Sequence, residues 1–486
     1  MSNTNIQDSD FTISLIKGDG IGPEITDSVV RILNAANSGL NFIEIEAGEK
    51  IYLSGKTSGI PDYAWDTLRK YPVLLKGPIT TPRGSGYKSL NVTIRKTLGL
   101  FANIRPARTY DPFVKTKHPG TDMIIVRENE EDTYAGIEHR QTQEVTQCLK
   151  IITRPGTEKI VRYAFEFARS NGRKKITCMV KDNIMKITDG LFDKIFKDIA
   201  KEYPDIETES IIIDIGAALL ANKPQRFDVI LAPNLYGDIL SDIAAEVTGS
   251  VGMCGSANIG DSIAMFEAVH GSAPDIAGKD IANPIALIQA AVLMLVHIGK
   301  VDKANIVQNA VLKALEDGFR TADIFTGEEK TQKVGTSAFT DVVIERLGQS
   351  PKILEVQDFS KPNKIQIHPR TSLEKKELVG VDIFIEQYEN RNPDKIGREI
   401  ERLCEGIMKL KMITNRGVKV YPDGQPETFL TDHWRCRLLG INGEKITHKE
   451  IVRLLDKIQE AGIDFIKIEN LYSFDGKPGY SLGQGE

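Results

Sequence analysis

Short runs of β-branched and aliphatic residues, at Phe11–Ile16, Val73–Leu75, Asp122–Val126, Lys175–Val180 and Asp228–Leu231, alternate with segments whose apolar residues recur every three or four positions, at Thr157–Ser170 and Thr188–Lys201. The first pattern predicts strands and the second helices, so the alternation predicts α/β layering. The longest apolar run, Ile285 to Ile298, is broken by Gln289 and His297 and is too short to span a bilayer, so it is expected as a buried helix. Around Gly348–Pro362 the periodicity fades and Pro, Ser and Gln gather, which predicts a boundary with a separate unit beyond it. That tail reads as a strand (Glu377–Glu386), a helix (Pro393–Met408), two strands (Lys411–Tyr421 and Trp434–Gly440), a helix (Thr447–Ala461, with Thr447 as N-cap and Glu450 three residues on) and a strand (Asp464–Glu469). The order βαββαβ predicts a ferredoxin-like α+β module, and it holds no catalytic cluster.

Composition narrows the partners. With 486 residues and 41% hydrophobic content the chain can bury one large core and a second, smaller one. Charged residues make up 27% and the net charge is −5, so no excess of positive charge is available for a phosphate backbone or an anionic membrane. Neither nucleic acid nor membrane is expected as a partner. Five dispersed cysteines, Cys148, Cys178, Cys254, Cys404 and Cys436, include no C-x-x-C pair and suit a reducing cytoplasm better than a disulfide framework or a zinc site. The opening segment MSNTNIQDSD has acids but no apolar core and no arginine-rich amphipathic stretch, so no targeting signal is expected there and the location is expected to be cytoplasmic.

Three constellations carry possible chemistry. Lys17-Gly18-Asp19-Gly20-Ile21-Gly22-Pro23-Glu24 follows a strand and opens a helix, but its glycines fall as G-x-G-x-G rather than in the dinucleotide fingerprint, so a tight structural turn is the simpler reading. Arg95, Arg105 and Arg127 each arrive at a strand or helix end; guanidinium groups grip carboxylates in pairs of hydrogen bonds, so their convergence would suit a substrate with several carboxylates, while each alone could be a structural ion-pair partner. In Asn234-Leu235-Tyr236-Gly237-Asp238-Ile239-Leu240-Ser241-Asp242, two carboxylates stand at i and i+4 on one helix face. Their repulsion would be relieved by a hard divalent cation, or the face could simply be solvated.

Taken together, GDGIGPEI, KGPITTP, SLNVTIR, RENEEDTYAGIEH, KDNIMK, NLYGDILSD and HGSAPDIAGK resemble, in that order, the signatures of the β-decarboxylating dehydrogenases, and of the isocitrate dehydrogenases within them, over about residues 12–347. The resemblance implies an isopropylmalate/isocitrate dehydrogenase-like two-subdomain fold. Residues 1–100 and 250–350 would form a large α/β subdomain, and 101–249 a small one with a dimer clasp at about 134–156. A linker at 351–375 and a C-terminal α+β domain at 376–486 would follow. It implies isocitrate as substrate, with Ser89, Asn91, Arg95, Arg105 and Arg127 as carboxylate contacts and Tyr134 and Lys181 as the acid/base pair. Asp214, Asp238 and Asp242 would hold Mg²⁺ or Mn²⁺, with Lys181 and Asp214 reaching across from a neighbouring subunit of a homodimer or larger homo-oligomer.

The choice of acid and nucleotide rests on a few positions. Ser89 and Asn91 suit the distal carboxylate of isocitrate, whereas an isopropyl group would strand them at roughly 1–3 kcal/mol each. Homoisocitrate, longer by one methylene, stays open as an alternative. So does a non-catalytic regulatory paralogue, although the chain keeps the acid/base and metal residues. In His270-Gly271-Ser272-Ala273-Pro274-Asp275-Ile276, a carboxylate at Asp275 can accept hydrogen bonds from the adenosine ribose and would repel a 2′-phosphate, so the Asp275-Ile276 pair predicts NAD⁺. By resemblance, His270 and Gly271 would lie at the adenine side, Asn283 would bond the base, and Glu267 and Thr81 would lie nearer the nicotinamide. The expected activity is thus an NAD⁺-dependent isocitrate dehydrogenase, an oxidative step of the tricarboxylic acid cycle.

Overall fold

A computed structural model describes residues 11–56, 58–81, 89–360, 365, 374–389 and 391–483. The targeting-signal reading of the first ten residues, Pro82 with the glycine-containing loop after it, and part of the expected linker lie outside the described residues. The chain divides into two compact units, one of residues 1–134, 151–184 and 189–369, the other of 135–150, 185–188 and 370–486.

The first unit is built on a ten-stranded sheet. From edge to edge the strands are Leu40–Glu44, Phe11–Ile16, Val73–Lys76, Ala264–Ala268, Gly255–Ile259, Ala102–Arg108, Asp122–Glu128, Val229–Ala232, Lys175–Val180 and Glu207–Ile212. Two parallel wings flank an antiparallel centre: the pairings from Ala264–Ala268 to Asp122–Glu128 are antiparallel and the outer ones parallel. The apolar run forms the helix Ile285–His297, buried on nearly all sides. It approaches the sheet closely because residue 255 is glycine; a Cβ there would stand 2.4 Å from the Ala290 nitrogen. The helix Arg154–Ser170 begins three residues before the periodic signal, because Thr153 caps it by accepting from the Gly156 N–H and Pro155 fits its first turn.

The second unit carries the six-stranded sheet Val418–Tyr421, Lys409–Asn415, His433–Leu439, Lys376–Glu386, Phe465–Phe474, Lys477–Pro478, antiparallel throughout. Each βαβ step is split by an intervening antiparallel strand, as the ferredoxin-like reading expects. Helix Pro393–Cys404 buries Ile396, Ile400 and Leu403, and helix His448–Glu460 buries Ile451, Leu454 and Ile458, all in one core with Trp434, Cys436 and Leu438 of the sheet. The expected strand Lys411–Tyr421 is two strands, because Arg416 and Gly417 take φ of 51° and 83° in a tight turn. The expected capping box at Thr447 and Glu450 is present. A short hairpin, Glu138–Arg140 with Thr146–Cys148, completes this unit. No helix among the described residues is long and apolar enough to cross a membrane.

Candidate active site

The antiparallel centre of the main sheet delivers charge to one place. Arg105 lies on Ala102–Arg108 and Arg127 on Asp122–Glu128, while Arg95 comes from the helix Leu90–Thr97, which Ser89 caps. Their exposures are 8% for Arg95, 5% for Arg105 and 1% for Arg127, so each guanidinium must find partners inside the protein. Asp238 is the chief one. Its Oδ1 accepts from Nη1 of Arg127 and, at 3.1 Å, from Nη1 of Arg105, and its Oδ2 accepts from the Tyr134 hydroxyl at 2.6 Å. The Arg127 guanidinium also lies over the Tyr134 ring, 5.0 Å from its centroid.

Neighbours on the same helix finish the arrangement. Arg127 donates to the Asn234 side chain at 2.7 Å, and Arg105 to Ser241 Oγ at 2.6 Å. Asn234, Asp238 and Ser241 are spaced four and three residues apart and share one face of Asn234–Thr248. Gly237 permits the fit, since a Cβ there would stand 2.5 Å from Arg127 Cγ. Asp242, one turn beyond Asp238, is exposed.

The electrostatics follow from crowding. Burial pushes the Asp238 carboxyl up, but Arg127 and Arg105 outweigh it and hold the group below its ordinary range. Asp242 is raised, by burial first and then by Asp238. Burial, with like-charged Arg105 and Arg95, brings Arg127 down to about 9. Tyr134 is pushed up to about 12, mainly by burial, with Asp238 adding to the shift and Arg127 opposing it.

Behind this cluster, whose Asp238 is half-buried, lies a fully buried carboxylate. Glu267 accepts from Arg95 and Lys76 at 2.8 Å each and from Asn258 at 2.8 Å, and although burial works against it the two cations hold it well below the carboxylate range. Four buried cations, Lys76, Arg95, Arg105 and Arg127, therefore meet two carboxylates, Asp238 and Glu267. Arg95 Nε and Asn91 Oδ1 are buried with no hydrogen-bond partner among the described residues.

Lys181 and Asp214 stand apart from these groups. They pair with each other at 2.7 Å, and Asp214 is largely exposed, a position in which Lys181 also holds its carboxyl low. Among the described residues no three His, Cys, Asp or Glu side chains gather where a metal could bind, so one chain brings Asp238 and Asp242 together without Asp214.

The glycine loop ties two other segments together. The Asp19 carboxylate accepts from Thr80 N at 3.0 Å and from Glu49 N, Ile21 N donates to Ser272 O at 2.8 Å, and the hydroxyls of Thr80 and Ser272 are 2.8 Å apart. Gly20, at φ 59°, would place a Cβ 2.0 Å from Ser272 O, so this turn needs glycine on both counts. Thr81 donates to Ser89 Oγ at 3.3 Å. His270 Nδ1 contacts Gly271 O at 2.9 Å; its Nε2 is buried with no partner, and burial lowers its pKa. Gly271 has open space on its Cβ side. Asn283 is engaged at both ends, donating to Asp323 and accepting from Ile285 N. Asp275 and Ile276 form a short turn, Pro274–Ile276, in which Asp275 is exposed and Ile276 half-buried.

Motif reading missed Asn234 and Ser241, which helical spacing from Asp238 could have found. It also missed Lys76 and Asn258, which no local pattern ties to Glu267.

The chain matches the family model for isocitrate/isopropylmalate dehydrogenase over residues 12–343 and the model for the C-terminal domain of bacterial isocitrate dehydrogenase over residues 376–486. It is 52% identical to an isocitrate dehydrogenase [NADP] of Rickettsia bellii, covering 98% of this chain and 100% of that one. It is 42% identical to an isocitrate dehydrogenase [NADP] of Thermus thermophilus, covering 99% of this chain and 97% of that one. The crystal structure of TT0538 protein from Thermus thermophilus superposes with a TM-score of 0.92 at 42% identity, covering 98% of this chain and 96% of that one. These relatives overturn the expectation of NAD⁺, and with it that of an NAD⁺-dependent isocitrate dehydrogenase, since those matched from end to end are named for NADP. The physical reason lies in the loop. Asp275 is exposed, so water and salt screen its charge, and Lys279 stands exposed four positions on. One screened carboxylate does not decide whether a 2′-phosphate is tolerated.

Proposed function

The chain belongs to the isocitrate/isopropylmalate dehydrogenase family, and from that premise we propose that it oxidises and decarboxylates isocitrate to 2-oxoglutarate and CO₂ with NADP⁺ as the hydride acceptor. The observation that carries the substrate is the excess of buried cations, four against the two carboxylates paired with them, with Arg95 Nε lacking a partner among the described residues. A polycarboxylate would neutralise that excess, and the Asn91 amide N–H and the Ser89 hydroxyl stand at the same helix start to donate to its distal end.

Asp238 and Asp242 fit a hard divalent cation, because they are like charges one turn apart and Asp242 is raised by partial burial and then by the neighbouring Asp238. Bound there, Mg²⁺ or Mn²⁺ would supply Lewis-acid stabilisation of negative charge on the oxygen at C2. The chain's own residues account for the rest. Arg95, Arg105 and Arg127 orient the carboxylates, and the hydroxyl proton passes to Lys181 as hydride leaves C2 for the nicotinamide. The C3 carboxylate then departs as CO₂, leaving its bonding pair as an enolate, and Tyr134 returns a proton to C3. A phenol raised to about 12 is fully protonated at neutral pH, as a donor must be.

Lys181 and Asp214 lie at the surface as a pair beside Ile184 and Ile215, which are 69% and 52% exposed, and Ile239 next to Asp238 is 51% exposed. Apolar surface beside catalytic groups supports a homodimer in which these two residues complete the partner's site. The deciding experiment follows reduced-nicotinamide absorbance with purified chain, Mg²⁺ and NADP⁺. NADPH should form with isocitrate and far more slowly with homoisocitrate or 3-isopropylmalate; no NADPH with isocitrate overturns the activity. A monomeric mass in solution for the active protein would overturn the shared site.

A further inference from the structure

The strand His433–Leu439 shows two faces. Trp434, Cys436 and Leu438 enter the core beneath the two helices, so His433, Arg435 and Arg437 fall on the opposite face of the sheet. Arg437 is answered there by Asp382 through two hydrogen bonds of 2.9 Å. His433 and Arg435 border a cavity of about 350 Å³, together with Phe384, Thr414, Arg416 and, from the hairpin, Thr146.

The lining is rich in donors. Arg435 Nε donates to Thr414 Oγ1 at 2.9 Å and lies 3.9 Å from the Asp382 carboxylate, a longer ion pair than the one Arg437 makes with it. Arg416 is exposed on its tight turn, its guanidinium 5.0 Å from the Phe429 ring centroid. His433 is 7% exposed, and its Nε2 is buried with no hydrogen-bond partner among the described residues. The neighbouring acids have partners of their own, Glu144 with Arg391 at 2.7 Å and Asp432, through one oxygen, with the Thr142 hydroxyl at 2.6 Å, while Asp432 Oδ2 has no partner among the described residues. Those two contacts also fasten the hairpin over the sheet.

We propose that this cavity binds a small phosphorylated metabolite, its phosphate held by Arg416, Arg435 and the His433 ring with threonine hydroxyls alongside, and its remaining body against Phe384. Forked guanidinium donors match phosphate oxygens. The space exceeds what a bare phosphate fills and falls at the lower end of the roughly 300–1,000 Å³ usual for small-molecule sites.

The test is isothermal titration of the full chain with inorganic phosphate and with AMP, repeated on Arg416→Asn and Arg435→Gln. Asn tolerates the left-handed turn, so the first variant removes charge from an exposed position and should keep the thermal midpoint and isocitrate turnover. The expected result is saturable AMP binding below about 10 mM, tighter than phosphate and weakened about tenfold in Arg416→Asn. Binding of inorganic phosphate alone would assign the site to the free ion and overturn the metabolite. No binding of either probe, or affinities unchanged in both variants, would overturn the site itself.

Discussion

Around Asp238 every close partner is polar and largely buried, whereas around Asp275 the chain lies open to solvent. Both carboxylates stand in motifs that predict a ligand nearby, yet only the first environment constrains what that ligand can be. Three guanidiniums removed from water call for anionic partners, which is the ground for proposing a polycarboxylate. An exposed carboxylate interacts through a screened field and leaves the choice of nucleotide to neighbours the motif does not include. Charge argues about function in proportion to how completely it is desolvated.

The largest expected effect breaks the buried side. Asp238→Asn removes the charge shared by Arg105, Arg127 and Tyr134 and one of its two acceptor oxygens, so kcat/KM for isocitrate should fall about 1,000-fold. A loss under tenfold in steady-state kinetics would make Asp238 a surface group like Asp275. Next comes Glu267→Gln, which leaves Lys76 and Arg95 buried without their carboxylate and should cost about 3 kcal/mol of stability, read from the denaturant midpoint. An unchanged midpoint would show that water, not Glu267, satisfies those cations.

A third carboxylate sharpens the contrast within the buried set. Glu128 follows Arg127 on the same strand and is as buried as Glu267, but among the described residues its oxygens accept only backbone N–H groups, from Glu130 and Glu131. Burial dominates those hydrogen bonds and raises its pKa to about 8 from 4.5. A folded-state pKa above the unfolded one means the contribution to stability is complete below about pH 4.5 and is lost as pH rises through about 8. Glu128→Gln should therefore flatten the stability profile between those limits. Thermal midpoints of the variant that track those of the parent across that range would place a cation near Glu128 that the structure lacks.

Periodicity made much of the architecture legible: Phe11–Ile16 and Lys175–Val180 form strands over the very residues whose pattern predicts them. The tail was legible because its strands alternate, as HWRCRLL does, and because Thr447 and Glu450 announce a helix. The hairpin Glu138–Arg140 with Thr146–Cys148 was not, since its strands are polar and largely exposed and show no buried face to alternate against. Nor was the antiparallel centre, which depends on pairings such as Ala257 with Ile104. In the site, the i, i+4 acids on one helix were visible locally. The Arg95 to Glu267 bond spans 172 positions, and only folding reveals it.

The smallest effect is expected at Asp275. Its carboxylate is exposed, with Lys279 exposed in the same loop, so removing the charge should matter little to a bound 2′-phosphate. Screened surface charges are worth roughly 0–1 kcal/mol, so Asp275→Ala should change the KM for NADP⁺ by less than about fivefold and leave kcat unaltered. The same substitution made with Lys279→Ala separates two accounts of the loop. If the lysine offsets the aspartate, the double variant returns to the parent KM and Lys279→Ala alone raises it. A tenfold fall in KM for Asp275→Ala would mean that this carboxylate faces the phosphate without solvent between them, and the contrast with Asp238 would then rest on partners rather than on burial.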